Sequence, residues 1–220
     1  MVLISNLIPV SEISINASDS LVPVAIDNLD LSAVTNVKTA TRLKRSYLVP
    51  NASGYMRVSF DNERKKIWIE DYNDKFMITS KRSLDLELDL WGGFYAGDDA
   101  YYIAEGQNNI EENNNKEVIR IIKYDHNWKR LGAASIKRDR VVAENSVRYP
   151  FDASSCDMIE HKGKLYLVSG HEGYVDPKYG QGHQGFLMVE VDPSSMTGRF
   201  ISWDQSHSFI QFLDQQGSDM

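Results

Sequence analysis

Short apolar runs, rich in Val, Ile, Tyr and Phe and closed by Asp, Asn or Gly, constrain this chain more than any other feature. None is long enough to complete a typical helix, whereas each fills a strand. The clearest are Tyr55–Phe60, Lys66–Tyr72, Phe76–Thr79, Tyr101–Ala104, Glu117–Tyr124, Lys164–Ser169, Phe186–Val191 and Phe200–Trp203. Between them stand Asp61-Asn62, Asn73-Asp74, Gly97-Asp98-Asp99, Asp125-His126-Asn127, Lys162-Gly163 and Asp192-Pro193-Ser194. Such groups make tight turns, because Asn, Asp and Gly tolerate left-handed backbone and Pro presets φ. The pattern predicts an all-β meander.

Aligned on these turns, the runs show a loose internal repeat. Asp98–Ala104 followed by Val118–Asp125 resembles Lys162–Val168 followed by Gly185–Asp192, and Glu63–Leu90 fits the same plan with a minimal Asn73-Asp74 turn in place of the insertion. Repeated units of a few antiparallel strands suggest propeller blades, which bury their faces only against neighbouring blades. The expected fold is therefore an incomplete β-propeller-like array of three to four antiparallel blades. The insertions Gly106–Lys116 and Gly170–Gln184 are expected at the same end of successive blades. Residues 1–50 read as a polar lead-in and 51–220 as the propeller-like domain. Ser206–Leu213 begins a new strand-like run with no strand after it, so the chain is expected to stop within a blade and to lack C-terminal blades.

Charge narrows the partners. With 24 Lys plus Arg against 31 Asp plus Glu, the net charge of -7 repels a phosphate backbone, so nucleic acid is not an expected partner. No apolar run approaches the roughly 20 residues needed to cross a bilayer, so no transmembrane segment is expected. Met1–Val10 has neither a basic region nor a small-residue cleavage site, so no signal peptide is expected in these residues and any export signal is expected to lie outside them. The single cysteine, Cys156, excludes an intramolecular disulfide framework and a multi-cysteine metal cluster, and reads as a small buried hydrophobe.

Three groups of residues carry chemistry. His171, His183 and His207 each sit beside polar neighbours, and imidazoles converging with Glu172 or Asp152 would suit zinc, since a carboxylate fixes the imidazole tautomer. Their spacing matches no standard zinc motif, so no cofactor is expected and the bland role is hydrogen bonding to loop backbone. Asp152, Asp157, Glu105 and Glu172 would supply an acid and a base across a glycosidic bond, although in so acidic a chain solvated turn carboxylates are the default. Tyr149, Tyr174 and Tyr179 would stack on a sugar while Gln107, Asn108, Gln181 and Gln184 bond its hydroxyls. Trp91 and Phe94 are expected in the core between blades. Ser154-Ser155-Cys156 lacks a strand-turn-helix elbow, and Gly180-Gln181-Gly182 lacks the helix of a phosphate loop.

The combination of Tyr55-Met56-Arg57-Val58, Trp91-Gly92-Gly93-Phe94-Tyr95, Glu105-Gly106-Gln107-Asn108-Asn109, Tyr149-Pro150-Phe151-Asp152, Gly170-His171-Glu172-Gly173-Tyr174, Gly182-His183-Gln184-Gly185 and His207-Ser208-Phe209 resembles a family of uncharacterised bacterial exported β-propeller-like proteins. The resemblance implies a propeller fold and an extracellular or cell-envelope setting, and carries no activity with it. Together these readings predict a non-catalytic binding or scaffold module that meets polysaccharide or a surface protein through blade-end loops. The expected contacts are Gln107, Asn108, Asp152, His171, Glu172, Tyr174, His183, Gln184 and His207. The alternative is a carbohydrate-active hydrolase or lyase using Glu172 or Asp152 with His171 or His183.

Overall fold

Alternation of apolar and polar residues gives every strand two faces, and Asx-led turns fix which residues oppose each other. The structure, a computed structural model, describes residues 21, 23–25, 44–111, 113–137, 147–151, 156–175, 182–205 and 213–214, with backbone alone for 171–175, 182–184 and 203–205. Its strands form three consecutive four-stranded antiparallel sheets. The first holds β1 (Ser46–Asn51), β2 (Gly54–Asp61), β3 (Lys66–Asn73) and β4 (Ile78–Asp85). The second holds β5 (Leu90–Ala96), β6 (Tyr101–Gly106), β7 (Glu117–Tyr124) and β8 (Arg130–Lys137). The third holds β9 (Asp157–His161), β10 (Lys164–Val175), β11 (Gly182–Asp192) and β12 (Thr197–Gln205). No helix occurs among the described residues, and none there is long and apolar enough to cross a membrane.

The turn from third to fourth strand repeats across the sheets. In the first, Asn73 Oδ1 accepts the amides of Lys75 at 3.0 Å and Met77 at 2.9 Å. In the second, Asp125 Oδ1 accepts those of Asn127 at 2.9 Å and Lys129 at 2.8 Å. In the third, Asp192 Oδ1 accepts those of Ser194 at 2.9 Å and Ser195 at 3.3 Å. Each turn then carries a large residue at positive φ: Phe76 (56°), Trp128 (66°) and Met196 (51°). Left-handed backbone costs such residues about 1–2 kcal/mol, which burial of the Trp128 ring, 1% exposed, offsets. Two sequence expectations shift here. Phe76, read as the start of a strand, belongs to the turn. The Asn73 turn matches Asp125 and Asp192, so the insertion's place in the first sheet is taken by the β2–β3 turn, where Asp61 Oδ1 caps Glu63 and Arg64 at 3.1 and 3.0 Å.

Packing follows from the two faces. Met56, Val58, Phe60, Ile67 and Ile69 of the first sheet meet Trp91, Phe94, Ile103, Ile122, Tyr124 and Trp128 of the second in one buried cluster. Trp91 and Phe94 are thus core, as expected. On its other face the second sheet contributes Tyr102, Ala104, Ile119, Ile121, Ala134 and Ile136 to a cluster with Leu165, Leu167, Leu187, Val189, Val191 and Phe200 of the third. The middle sheet is therefore buried on both faces, which explains the nearly unbroken apolar run Val118-Ile119-Arg120-Ile121-Ile122. Strand β5 lies against β9, and β8 against β12. Polar ties hold this alignment: Tyr102 Oη donates to Glu160 Oε1 at 2.8 Å, Lys123 Nζ to the Pro193 carbonyl at 2.9 Å, and Cys156 N to the Gly92 carbonyl at 3.0 Å. Cys156 is a buried free thiol whose acidity burial suppresses.

The first sheet's outward face is built differently. Glu70, fully buried there, accepts Val24 N at 2.6 Å and Tyr72 Oη at 3.0 Å. Arg57 Nη1 donates to Glu70 Oε2 at 3.1 Å and to the Val24 carbonyl at 2.9 Å. One ion pair thereby satisfies both backbone groups of Val24 and pins that residue to the sheet.

Candidate functional site

At one end the stacked sheets are closed by the tight turns just described; from the other end emerge the longer second-to-third connections. In the third sheet β10 continues to Val175 and β11 begins at Gly182. Most of the expected insertion Gly170–Gln184 is therefore hairpin, with residues 176–181 as its connection. Gly170 opposes Phe186, His171 opposes Gly185, and Glu172 opposes Gln184, after which the register shifts so that Val175 opposes Gly182. Such an irregularity bends and twists the two-stranded ribbon locally. His171, Glu172 and Tyr174 on β10 and His183 and Gln184 on β11 thus stand on adjacent strands at one end of this sheet. Asp152 and His207 lie outside the described residues, as do Tyr179 and Gln181.

The corresponding loop of the second sheet is held from within. Gln107 donates its backbone amide to the Val118 carbonyl at 3.2 Å and its side-chain amide to the Glu117 carbonyl at 2.8 Å. Asn109, fully buried, accepts Asn113 N at 3.0 Å on Oδ1, donates Nδ2 to the Asn113 carbonyl at 3.3 Å, and gives its own N–H to the Arg148 carbonyl at 2.8 Å. A short side-chain amide mimicking a backbone turn is a common way to order a polar loop. Asn108 and Ile110 between and beyond these anchors are exposed. Gln107 is thus committed to loop structure, whereas Asn108 is presented to solvent. Sequence reasoning named Gln107 and Asn108 and missed Asn109, because only the closure of its loop onto residue 113 separates it from the neighbouring asparagines.

Residues 147–151 cross the same end. Phe151, at φ 61° and 3% exposed, lays its ring over the backbone of β5 and β6. A Cβ on Gly92 would stand 2.6 Å from that ring and 2.9 Å from the Ala104 carbonyl, so this position excludes a side chain, and one on Gly106 would stand a tight 3.0 Å from the same ring.

Electrostatics assign the carboxylates. Glu105 is 1% exposed, and its Oε2 accepts Glu87 N at 2.7 Å and Leu88 N at 2.8 Å from the strand connection between the first two sheets. Burial nevertheless pushes its pKa up to about 7, because the two amides and the more distant Arg120 compensate only part of the lost hydration, while Glu87 adds repulsion. For Glu87 the balance is opposite: burial raises its pKa, but hydrogen bonds and charges from Arg130 (2.6 Å) and Arg120 (3.0 Å) outweigh it and hold the carboxyl below the usual range. Asp157 Oδ2 accepts Leu213 N at 2.9 Å. Glu105 and Asp157, both read as acid or base candidates, thus cap backbone amides. Among the described residues no group of three or more His, Cys, Asp or Glu side chains is arranged to hold a metal ion. Compared with family models, with curated proteins and with solved structures, the chain matches none.

Proposed function

We propose that this chain is a non-catalytic binding or scaffold module of β-propeller-like architecture, in which the three sheets act as blades and the loop end meets a polysaccharide at the cell surface. The observation that carries the reading is the stacking itself. Three like sheets share their faces in series, and the two longer connections, 107–116 and 176–181, leave the same end of neighbouring sheets. A rigid scaffold with polar loops at one end is the usual way a repeat fold presents a ligand surface. The exposed Asn108 and the hairpin residues His171, Glu172, Tyr174, His183 and Gln184 supply the hydrogen-bonding and aromatic groups that sugars need.

A glycan array probed with the full chain tests this. Binding to at least one polysaccharide is expected, weakened about 5- to 10-fold by Asn108→Ala and again by His183→Ala, the loss that follows from one hydrogen bond. An array without a single bound glycan refutes the reading. Release of new reducing ends from a bound glycan refutes its non-catalytic part and favours the hydrolase alternative.

A further inference from the structure

Strands β2 and β3 are the two central strands of the first sheet, so their backbone groups are already paired with neighbours on both sides. A segment crossing their outward face finds no sheet edge, and its own backbone must be met by side chains. Arg57 and Glu70, directly opposite each other on the two strands, meet it. Glu70 Oε1 accepts Val24 N at 2.6 Å, while Arg57 Nη1 donates to the Val24 carbonyl at 2.9 Å. In extended chain the N–H and C=O of one residue point to the same side, so the ion pair imitates the edge of a strand. Among the described residues of this segment Val24 alone is buried; Pro23 and Ala25 are exposed, and Leu21 is 54% exposed. The clamp is also complete without its occupant. Arg57 keeps Glu70 at 3.1 Å and Ser46 Oγ at 3.0 Å, and Glu70 keeps Tyr72 Oη at 3.0 Å. Lifting Val24 away returns water to both charges and leaves a cross-strand ion pair of the ordinary surface kind. Docked and undocked states are thus both satisfied, unlike the seams between sheets, where opening bares apolar clusters.

We propose that Arg57 and Glu70 form a docking clamp for an extended peptide of a partner protein, which the chain's own segment around Val24 fills in cis and yields by competition. What Val24 supplies defines the partner's chemistry: one residue with its N–H and C=O on the same side, carrying a small branched apolar side chain, in a stretch that is not helical. Pro23 suits this role, since its ring holds the backbone near the polyproline conformation and leaves no N–H seeking a partner. Main-chain hydrogen bonds for affinity and a side-chain site for selectivity are how strand-like peptides are recognised. A second copy of this chain is a poorer occupant. Its own segment is already docked, and exchanging like for like adds no contact. The inference rests on the first sheet alone and is independent of the loop end.

The probe is a fluorescently labelled synthetic peptide of residues 20–27, titrated into the full chain and followed by anisotropy. In the native chain the attached segment competes at an effective concentration of about a millimolar. Val24→Pro in the chain removes the N–H that Glu70 accepts and so vacates the clamp. The Val24→Pro chain, its circular dichroism unchanged, is expected to bind the peptide at least about 10-fold more tightly than the native chain does. The same peptide methylated on the nitrogen of its Val24 residue should lose about 10-fold or more, since the donor alone is gone. A Val24→Pro chain that ignores the peptide overturns the proposal, as does equal binding of the plain and methylated peptides. Loss of the β-sheet signal in the Val24→Pro chain overturns it too, because the segment is then a fixed part of the fold. Native chains that pair by exchanging segments, seen by light scattering as twice the 25.0 kDa mass with the Val24 amide still protected, would make a second copy the occupant and overturn the assignment to a partner protein.

Discussion

Replacing Glu105 with Gln isolates the cost of one buried charge. The carboxyl is 1% exposed and accepts two amides from the connection between the first and second sheets, and its pKa rises from the ordinary 4.5 to about 7. Below pH 4.5 both folded and unfolded chains carry it protonated, so it adds no pH dependence. Between 4.5 and 7 the folded chain holds a proton that the unfolded chain has lost, so stability falls as pH rises, and above 7 the loss is complete. At about 1.36 kcal/mol for each decade of acidity, the total is about 3 kcal/mol. Gln cannot ionise, and its single carbonyl oxygen is able to take both amides. In urea denaturation across this pH range, the Gln variant should therefore gain about 3 kcal/mol relative to the native chain between pH 4.5 and 7, with no further gain at higher pH. Other titrating groups are common to both chains and cancel in the difference. Parallel stability profiles would refute the argument, since they would mean that the folded chain tolerates the ionised carboxylate as readily as water does.

Trp128→Ala should cost about 3–5 kcal/mol in the same denaturation assay, the toll of emptying a buried aromatic site, because the ring fills the seam between the first two sheets. Glu70→Ala should cost about 3–5 kcal/mol by leaving the mostly buried Arg57 without its partner; amide exchange at Val24 should accelerate with it, since Glu70 accepts that N–H.

Much of the architecture was legible in the residues. Strands β2, β3, β6, β7, β10, β11 and β12 fall on apolar runs, and Asp61, Asn73, Asp125 and Asp192 announce their turns, because side-chain capping of the following amides is a local property. Strands β1, β5 and β9 were missed, and β8 was expected only as a strand of unstated bounds after the Asp125 turn. Arg130–Lys137 carries Gly132, Ala133, Ala134 and Ser135, small residues that lie close to the third sheet and look like loop until that sheet is present. Leu90–Ala96 is interrupted by Gly92 and Gly93, whose lack of side chains is demanded by Phe151 and Cys156 from distant parts of the chain. The phase of the first repeat was also hidden, since an Asn73 turn and an Asp61 turn are equally good hairpins and only pairing tells which strand is third. For the candidate site, the sequence put His171 and His183 in one insertion, and the backbone turns most of that insertion into a hairpin with the two on adjacent strands. It had no means of separating Gln107, spent on holding its loop, from Asn108, which is free to bind.

A sheet that shares both faces also governs how the molecule comes apart. The first and third sheets can each be peeled away by opening one seam, but the second can be freed only by opening two. Stability in such a stack is a sum of nearest-neighbour terms, so the ends open in partial unfolding while the centre waits for the global event. The amides of Ile103, Ile119, Ile121 and Ile122 should therefore be the slowest clock in the protein, still protonated in deuterated water after the edge strands β1 and β4 have exchanged.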